Sequence, residues 1–344
     1  MGRTILIIVS GLVLSGSIVQ ISLQTRQQDL YERTNDFARD VQTRNMANSG
    51  LKFALNTLNA DSTWRDGMET IPFGEGTLSV AIADYNDDPS LKANQVELTA
   101  TGILQHDTSQ VIGLLEFQGG LPPAPSPVGI YSNNLAMNVS GNSVVIDGND
   151  QAGGDPLPGL TVGGSDAYNN VMSSLTEDQL ENIAGSGGGQ SVHQKDLSGD
   201  ELQEYIDKYT TNPDQIVESD LNSTVIGTSE NPQITVVNGD INISSVSGAG
   251  ILVVAAGNSI SITGNFTFDG LVILQGNTNF EADIYGNTNI TGGLMCASID
   301  PTATFDLDLR GNVGINYNSQ ILAALEMDLA GQTNSQLAQV ARYE

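Results

Sequence analysis

The chain has 344 residues, with 40 acidic side chains against 12 basic ones and a formal net charge of −28. A body of this charge repels nucleic acid and anionic lipid surfaces, so the composition excludes nucleic-acid binding. The single cysteine, Cys296, rules out a disulfide within the chain, and its apolar neighbours predict a buried thiol. The length allows two or three domains.

The first predicted element is an apolar segment from Thr4 to Ile21 that contains no Lys, Arg, Asp or Glu. Its length reaches the lower limit for crossing a bilayer. No Gly or Pro break separates it from a polar, helix-patterned segment that ends near Leu58. We therefore predict one long helix over residues 1–58, with a membrane-spanning part at about 4–21. Such a helix would be roughly 80 Å long, far longer than a bilayer is thick.

Two other interpretations of this segment remain open, a cleaved signal peptide and an ordinary single-pass anchor. Ser15-Gly16-Ser17 could imitate a cleavage site, although no Ala-x-Ala follows the apolar run.

The orientation of the segment in the membrane raises a separate conflict. Three arginines follow the segment and only Arg3 precedes it, so the positive-inside rule places the body in the cytoplasm. We expect an exported body because its acidic, Asn- and Gly-rich composition is typical of a surface fold.

Residues 59–118 are predicted to form a small antiparallel meander attached to the helix. The apolar period changes to two in three stretches, 77–83, 95–101 and 110–117. Residues 119–128 form a proline-rich linker and the clearest domain boundary. Beyond the membrane the helix itself is amphipathic, with an apolar stripe that needs a packing partner.

Residues 129–330 are predicted to form a β-helix domain, whose most regular part runs from Gln233 to Gln320. Four apolar cores begin at Ile234, Ile251, Leu271 and Leu294, with Gly-Asn turns at 264, 286 and 311. A repeat of about twenty residues with Gly or Asn corners predicts a parallel β-helix. We expect a helical insertion at about 159–220, because Thr176 and Ser198 begin capping boxes. A last helix, 320–329, and a C-terminal tail, 331–344, complete the chain.

The segment from Arg44 to Leu55 resembles the Ala-x-x-Gly-Leu-x-x-Ala-Leu ending of the N-terminal helices of bacterial type IV pilus minor pilins of the PilX class. The apolar start and the meander add to this resemblance. The runs Gly250–Val254 and Ile262–Leu274 look like the β-helix module attached to some of these proteins. The resemblance implies an α+β, mainly β fold that ends in a right-handed parallel β-helix.

One departure from the pilin pattern concerns processing. Pilin precursors are cut after a glycine, with a glutamate five residues further on. If Gly2 were that glycine, Arg3 would lead the mature chain and Ile7 would occupy the glutamate position. Assembly in the usual pilin register is therefore not implied, although small residues such as Gly11, Ser15 and Gly16 allow helices to approach closely in a membrane.

Candidate catalytic residues are few. Asp306 and Asp308 are two apart on a predicted strand and so share one face, as a carboxylate pair for glycoside hydrolysis would. Such a spacing arises easily by chance in an acidic chain. His106 and His193 lie in predicted loops without a matching nucleophile, so we assign no catalytic and no cofactor-binding residue.

One weak metal candidate stands out. Asp84, Asn86 and Asp88 copy the first three ligands of a calcium loop, but Pro89 stands where the turn glycine belongs and Gln95 replaces the bidentate acid. Calcium is therefore the one conceivable cofactor. A second weak cluster is Asp147, Asn149, Asp150, Gln151 and Asp155. Asn-x-Ser/Thr motifs are interpreted as corner asparagines, and Trp64 as an anchor between helix and meander.

The expected function is that of a non-enzymatic, membrane-anchored, pilin-like cell-envelope protein for pilus-type assembly or adhesion. The implied partners are membrane lipid, other pilin-like subunits or copies of the chain, and a surface polysaccharide or receptor. Two alternatives stay open: a membrane-tethered β-helix enzyme that acts on polysaccharides, and a passive scaffold in a pilus or secretion tip complex.

Overall fold

The computed structural model describes residues 2–141, 143–298, 300, 303–333 and 335–343. A long N-terminal helix leads into a mainly β body. The helices are α1 (Gly2–Ala60), α2 (Ser165–Ser174), α3 (Glu177–Glu181), α4 (Gly199–Thr211), α5 (Ser319–Asp328) and α6 (Ala330–Thr333). The strands are β1 (Met68–Phe73), β2 (Gly76–Ala83), β3 (Gln95–Leu104), β4 (Asp107–Gln118), β5 (Val128–Tyr131), β6 (Leu135–Ser140), β7 (Val144–Asp147), β8 (Leu160–Gly163), β9 (Ile183–Ala184), β10 (Val192–Lys195), β11 (Gln215–Val217), β12 (Leu221–Asn222), β13 (Val225–Ile226), β14 (Gln233–Asn238), β15 (Ile241–Ser244), β16 (Ser247–Thr263), β17 (Asn265–Ser298), β18 (Phe305–Tyr317) and β19 (Gln336–Tyr343).

The C-terminal third of α1 packs on a five-stranded antiparallel sheet of order β1-β2-β3-β4-β19. The buried helix positions, Ala47, Leu51, Ala54 and Leu58, recur every three or four residues, as one helix face requires. Helix and sheet approach closely at Gly102, where a Cβ atom would lie 2.3 Å from the Thr43 carbonyl oxygen. The long helix and the three predicted strands are confirmed.

The same sheet contains two strands that the sequence pattern did not predict, β1 and β19. β19 lies in the predicted C-terminal tail and pairs antiparallel with β4, with Leu337 opposite Phe117. Its side chains are mostly exposed, so it lacks the apolar alternation that marks a half-buried strand. The chain therefore returns to its first sheet after completing the body.

The larger sheet is parallel, and its longest row of strands has the order β10-β8-β5-β17-β16-β14-β11. The register follows the predicted repeat, since Ile234 pairs with Ile251 and Ile251 pairs with Leu271. Leu294 pairs with Val128, far away in sequence. Further parallel pairings connect β15 with β16, and β18 with β17, β6 and β7.

The path of the chain through this row begins in its middle. From β5 the chain advances through β8 to β10 at one end, and α4 then leads to β11 at the opposite end. From there it advances through β14, β16 and β17 until it meets β5. The predicted insertion at 159–220 is thus only partly helical, because three of its segments, β8, β10 and β11, are strands of the row. Each has only three or four residues, too few for a periodic signal.

Two apolar layers explain the continuous hydrophobic runs of the row. One side of the strands faces an interior cluster that contains the stacked rings of Phe266 and Phe268. The other side is covered by apolar residues of α4 and α5, such as Ile206 and Leu325. Because both sides are buried, all four residues of the run 251–254 are fully enclosed.

The predicted Gly-Asn corners are confirmed, because Gly264, Gly286 and Gly311 have φ angles of +72°, +90° and +92°. A second set of glycines, which was not among the predicted corners, lies where the backbone of successive strands approaches closely. Gly250, Gly270 and Gly292 have φ angles of +131°, +144° and +133°. A Cβ atom on Gly270 would lie 2.0 Å from the Gly250 carbonyl oxygen, and one on Gly292 would lie 2.2 Å from that of Gly270. Only glycine fits a column that combines positive φ with this spacing.

The proline-rich linker is fixed to the body at its start. The buried carboxylate of Glu326 accepts hydrogen bonds from the amides of Gly120 and Leu121, the latter at 2.9 Å. The hydroxyl of the buried Tyr209 donates to the Gly120 carbonyl at 2.7 Å. Ser335, just before β19, also donates to Glu326. One carboxylate thus connects the chain's exit from the first sheet with its return.

Candidate functional site

The exposed segment of α1, from Ile8 to Ala38, is the most unusual surface of the molecule. Every described side chain from Ile8 to Ala38 is exposed, including Leu30 and Phe37. Among the described residues, this helix alone is long and apolar enough to cross a membrane. If this segment faced water, the exposure of its apolar side chains would cost a free energy of roughly 25 cal/mol per Å² of apolar surface. The segment therefore requires another apolar environment.

Two glycines of this segment pack against nothing, and two serines bond to the helix backbone itself. A Cβ atom on Gly11 or Gly16 would meet nothing within 4 Å. The hydroxyls of Ser15 and Ser17 donate to helix carbonyls three and four residues back, at 3.0 and 2.8 Å. Their polar groups are therefore satisfied within the helix, as a hydrocarbon environment demands.

The exposed segment of α1 ends where polar contacts attach the helix to the first sheet. Nε of Arg39 lies 2.9 Å from a carboxylate oxygen of Asp107, and the hydroxyls of Thr43 and Ser109 are 2.7 Å apart. The helix is exposed up to Ala38, and its buried face begins at Thr43. The predicted amphipathic stripe divides accordingly: Leu51 and Leu58 pack on the sheet, whereas Leu30 and Phe37 do not.

A second candidate site is a group of carboxylates on neighbouring strands. Asp308 pairs in register with Asp283, and Asp306 lies two residues before Asp308 on the same face. One carboxylate oxygen of each is buried and accepts no hydrogen bond. Arg310 forms an ion pair with Asp308 and lies over the ring of Tyr285 at 5.0 Å.

The electrostatics of this acidic group follow from its crowding. Burial raises the pKa of the Asp306 carboxyl, and the negative charges of Asp308 and Asp283 raise it further, while Arg310 opposes them. Desolvation and a hydrogen bond with Asp283 raise the pKa of Tyr285 to about 12. A carboxyl with a raised pKa beside an ionised one is the pattern that a general acid needs.

The sequence paired Asp306 with Asp308 correctly but missed Asp283. Asp283 stands 25 residues before Asp308 in the chain, longer than the predicted repeat of about twenty residues, and only the register of β17 and β18 brings them together.

The calcium candidate has partners of another kind. The carboxylate of Asp84 accepts from Nε of Arg65 at 2.9 Å and from the amide of Asn86 at 2.9 Å. Burial alone would raise the pKa of Asp84, but these hydrogen bonds and the Arg65 charge hold it below its usual value. The carboxylate of Asp88 accepts a hydrogen bond from the amide of Ser90. The described part of the chain contains no group of three or more His, Cys, Asp or Glu placed to hold a metal ion.

The second loop cluster caps a helix. Asp150 accepts from the amide of Ser319 at 3.0 Å and also from its hydroxyl, at the start of α5. Asp147 accepts from the amide of Asn149 at 2.9 Å. These loop carboxylates therefore fix the turn and the helix start.

The remaining singled-out residues have structural surroundings. His106 is exposed in a turn, whereas His193 lies on β10 and not in a loop as predicted. Cys296 is fully buried, which raises the pKa of its thiol. Trp64 packs against the core of the first sheet, as predicted.

Comparison with profiles of known protein families, with curated proteins and with solved structures found no match to this chain. Its function must therefore be argued from its own residues.

Proposed function

We propose that this protein is a membrane-anchored, pilin-like component of the cell envelope that presents an exported β body on a helical stalk. The observation that carries the proposal is the exposure of every described side chain of α1 from Ile8 to Ala38. The apolar first part of this segment matches lipid. The charged continuation, with exposed Leu30 and Phe37, matches neighbouring helices of the same kind.

We further propose that the parallel sheet forms a right-handed parallel β-helix. Repeated parallel pairing at offsets of 17 and 20 residues and the stacked corner glycines support it. Parallel connections within one sheet are overwhelmingly right-handed, which sets the expected hand. An experimental structure of the full chain would report it directly.

Export of the body is tested with a cysteine probe. Ile216 is 56% exposed on the body, and the native Cys296 is fully buried, so the variant Ile216→Cys has one reactive thiol. In spheroplasts, a membrane-impermeant maleimide should label Ile216→Cys and leave the wild-type chain unlabelled. Labelling that appears only after the membrane is permeabilised would place the body in the cytoplasm and defeat the proposal.

A second candidate function, glycoside hydrolysis, is favoured by the raised pKa of Asp306 beside Asp308 and Asp283. Against it stands the ion pair of Arg310 with Asp308, which engages one of the carboxylates. The full chain in detergent, incubated with neutral and acidic polysaccharides, separates the two functions. Turnover that disappears in Asp306→Asn would establish the enzyme.

A further inference from the structure

A cleft of about 300 Å³ opens on the strand segments that follow the corner glycines Gly286 and Gly311. The acidic group precedes these corners in the chain. Its lining contains only asparagine, threonine and glycine: Asn265, Thr267, Asn287, Thr288, Asn289, Asn312 and Gly314. In a chain with 40 acidic residues, a cleft without a single charge is a distinct chemical surface. We name these residues the amide cleft.

The asparagines of the amide cleft are arranged in a column. Asn287 pairs in register with Asn312, and its side-chain nitrogen donates to the side-chain oxygen of Asn265 at 3.0 Å. Beside this column, the side-chain nitrogen of Asn316, a residue outside the cleft lining, donates to the side-chain oxygen of Asn289 at 3.1 Å. The parallel strands repeat every 4.8 Å or so, and three of them span roughly 10 Å, about the length of a disaccharide.

The orientation of the column is outward. Asn265, Asn287 and Asn312 are exposed, while their neighbours Phe266 and Val313 are buried, as strand alternation requires. Amide groups that hydrogen-bond to one another along the column keep further donor and acceptor capacity on their solvent side. That capacity matches a ligand rich in neutral hydroxyl groups.

Gly314 lies beside the column, two residues after Asn312 on the same strand. It stands in the interior of β18, and its φ angle is not positive, so the backbone does not demand glycine there. Glycine weakens a strand and often marks a site where another group approaches the backbone closely. Its register partner is Asn289, and a Cβ atom there would lie 3.2 Å from the Asn289 side-chain oxygen.

We propose that the amide cleft binds a neutral carbohydrate chain. The absence of charged residues from the lining disfavours uronic-acid polymers and cationic peptides, and the amide column supplies paired donors and acceptors to sugar hydroxyls. This ligand class specifies the adhesive role in the proposed function and depends on it for its biological setting. The site itself is testable without the anchor.

Binding is measured by calorimetry on the full chain in detergent, with soluble gluco-, manno- and chito-oligosaccharides and an oligogalacturonate as the charged comparison. We expect affinity for at least one neutral oligosaccharide and none for oligogalacturonate. Asn287→Ala removes one column amide and should weaken binding by about fivefold, the usual net contribution of one hydrogen bond. The control Asn242→Ala alters an exposed strand asparagine outside the cleft and should leave affinity unchanged.

The variant Gly314→Val tests whether the amide cleft binds a ligand or whether its amides only connect neighbouring strands. Valine favours strands, but its Cβ would lie 3.2 Å from the Asn289 side-chain oxygen, so that amide must shift as the side chain closes the approach to the backbone and abolishes binding. An unchanged melting temperature shows that the loss of binding is not a loss of fold. Failure of every neutral oligosaccharide to bind, or binding that survives both Asn287→Ala and Gly314→Val, would overturn the inference. Neither outcome bears on export, which the thiol-labelling experiment measures separately.

Discussion

At the scale of single residues, the neighbours of a carboxyl group decide whether its pKa is raised or lowered. Asp84 is buried but paired with Arg65, and its pKa is lowered. Asp306 is crowded by Asp308 and Asp283, and its pKa is raised. A lowered carboxyl pKa adds stability at neutral pH, whereas a raised one costs stability once the group ionises.

Because negative charges crowd Asp306, removing its charge should increase the free energy of unfolding, by an amount that depends on pH. Asp306→Asn should stabilise the body at pH 7 by no more than about 1 kcal/mol, because the site is partly solvated. As the pH falls through the raised pKa, the native carboxyl binds its proton in the folded state and the cost disappears. The gain should therefore vanish near pH 3, as followed by thermal unfolding in detergent. Glu230→Gln, in an exposed turn, is the control, and an equal gain at both pH values would contradict this electrostatic account.

At the scale of elements, corner glycines and short strands determine what the sequence could reveal. The Gly-Asn turns and the apolar cores are strong signals because backbone strain and burial on both sides permit few residue types. β8, β10 and β11 gave no such signal, and β19 is mostly exposed, so their positions follow from pairing alone. The same reason explains why Asp308 was found without Asp283.

Two adjacent glycines test the corner column. Gly292→Ala meets both positive φ and the Gly270 carbonyl at 2.2 Å, and should cost at least about 2 kcal/mol of unfolding free energy. Gly293→Ala places its Cβ 3.5 Å from Leu271, an ordinary contact, and should be nearly neutral. Denaturant unfolding of both variants measures the difference. Equal stability of the two would show that the column does not constrain the corner.

At the scale of the whole molecule, the body is inserted into the chain of the first sheet. β4 leads through the pinned linker into the body, and β19 brings the chain back to pair with β4. Both ends of the body therefore connect to the domain that carries the stalk. The sequence predicted the stalk, the meander and the repeat, but the return of the C-terminus depends on long-range strand pairing that no local pattern records.

The most direct test of the account is flotation of the full chain with lipid vesicles on a density gradient, followed by alkaline carbonate extraction. The chain should float with the vesicles and resist extraction. Leu14→Arg, which places a charge within the apolar run, should weaken this association, whereas Ile216→Arg on the body should not. Recovery of the unaltered full chain as a soluble monomer at the bottom of the gradient would contradict the account.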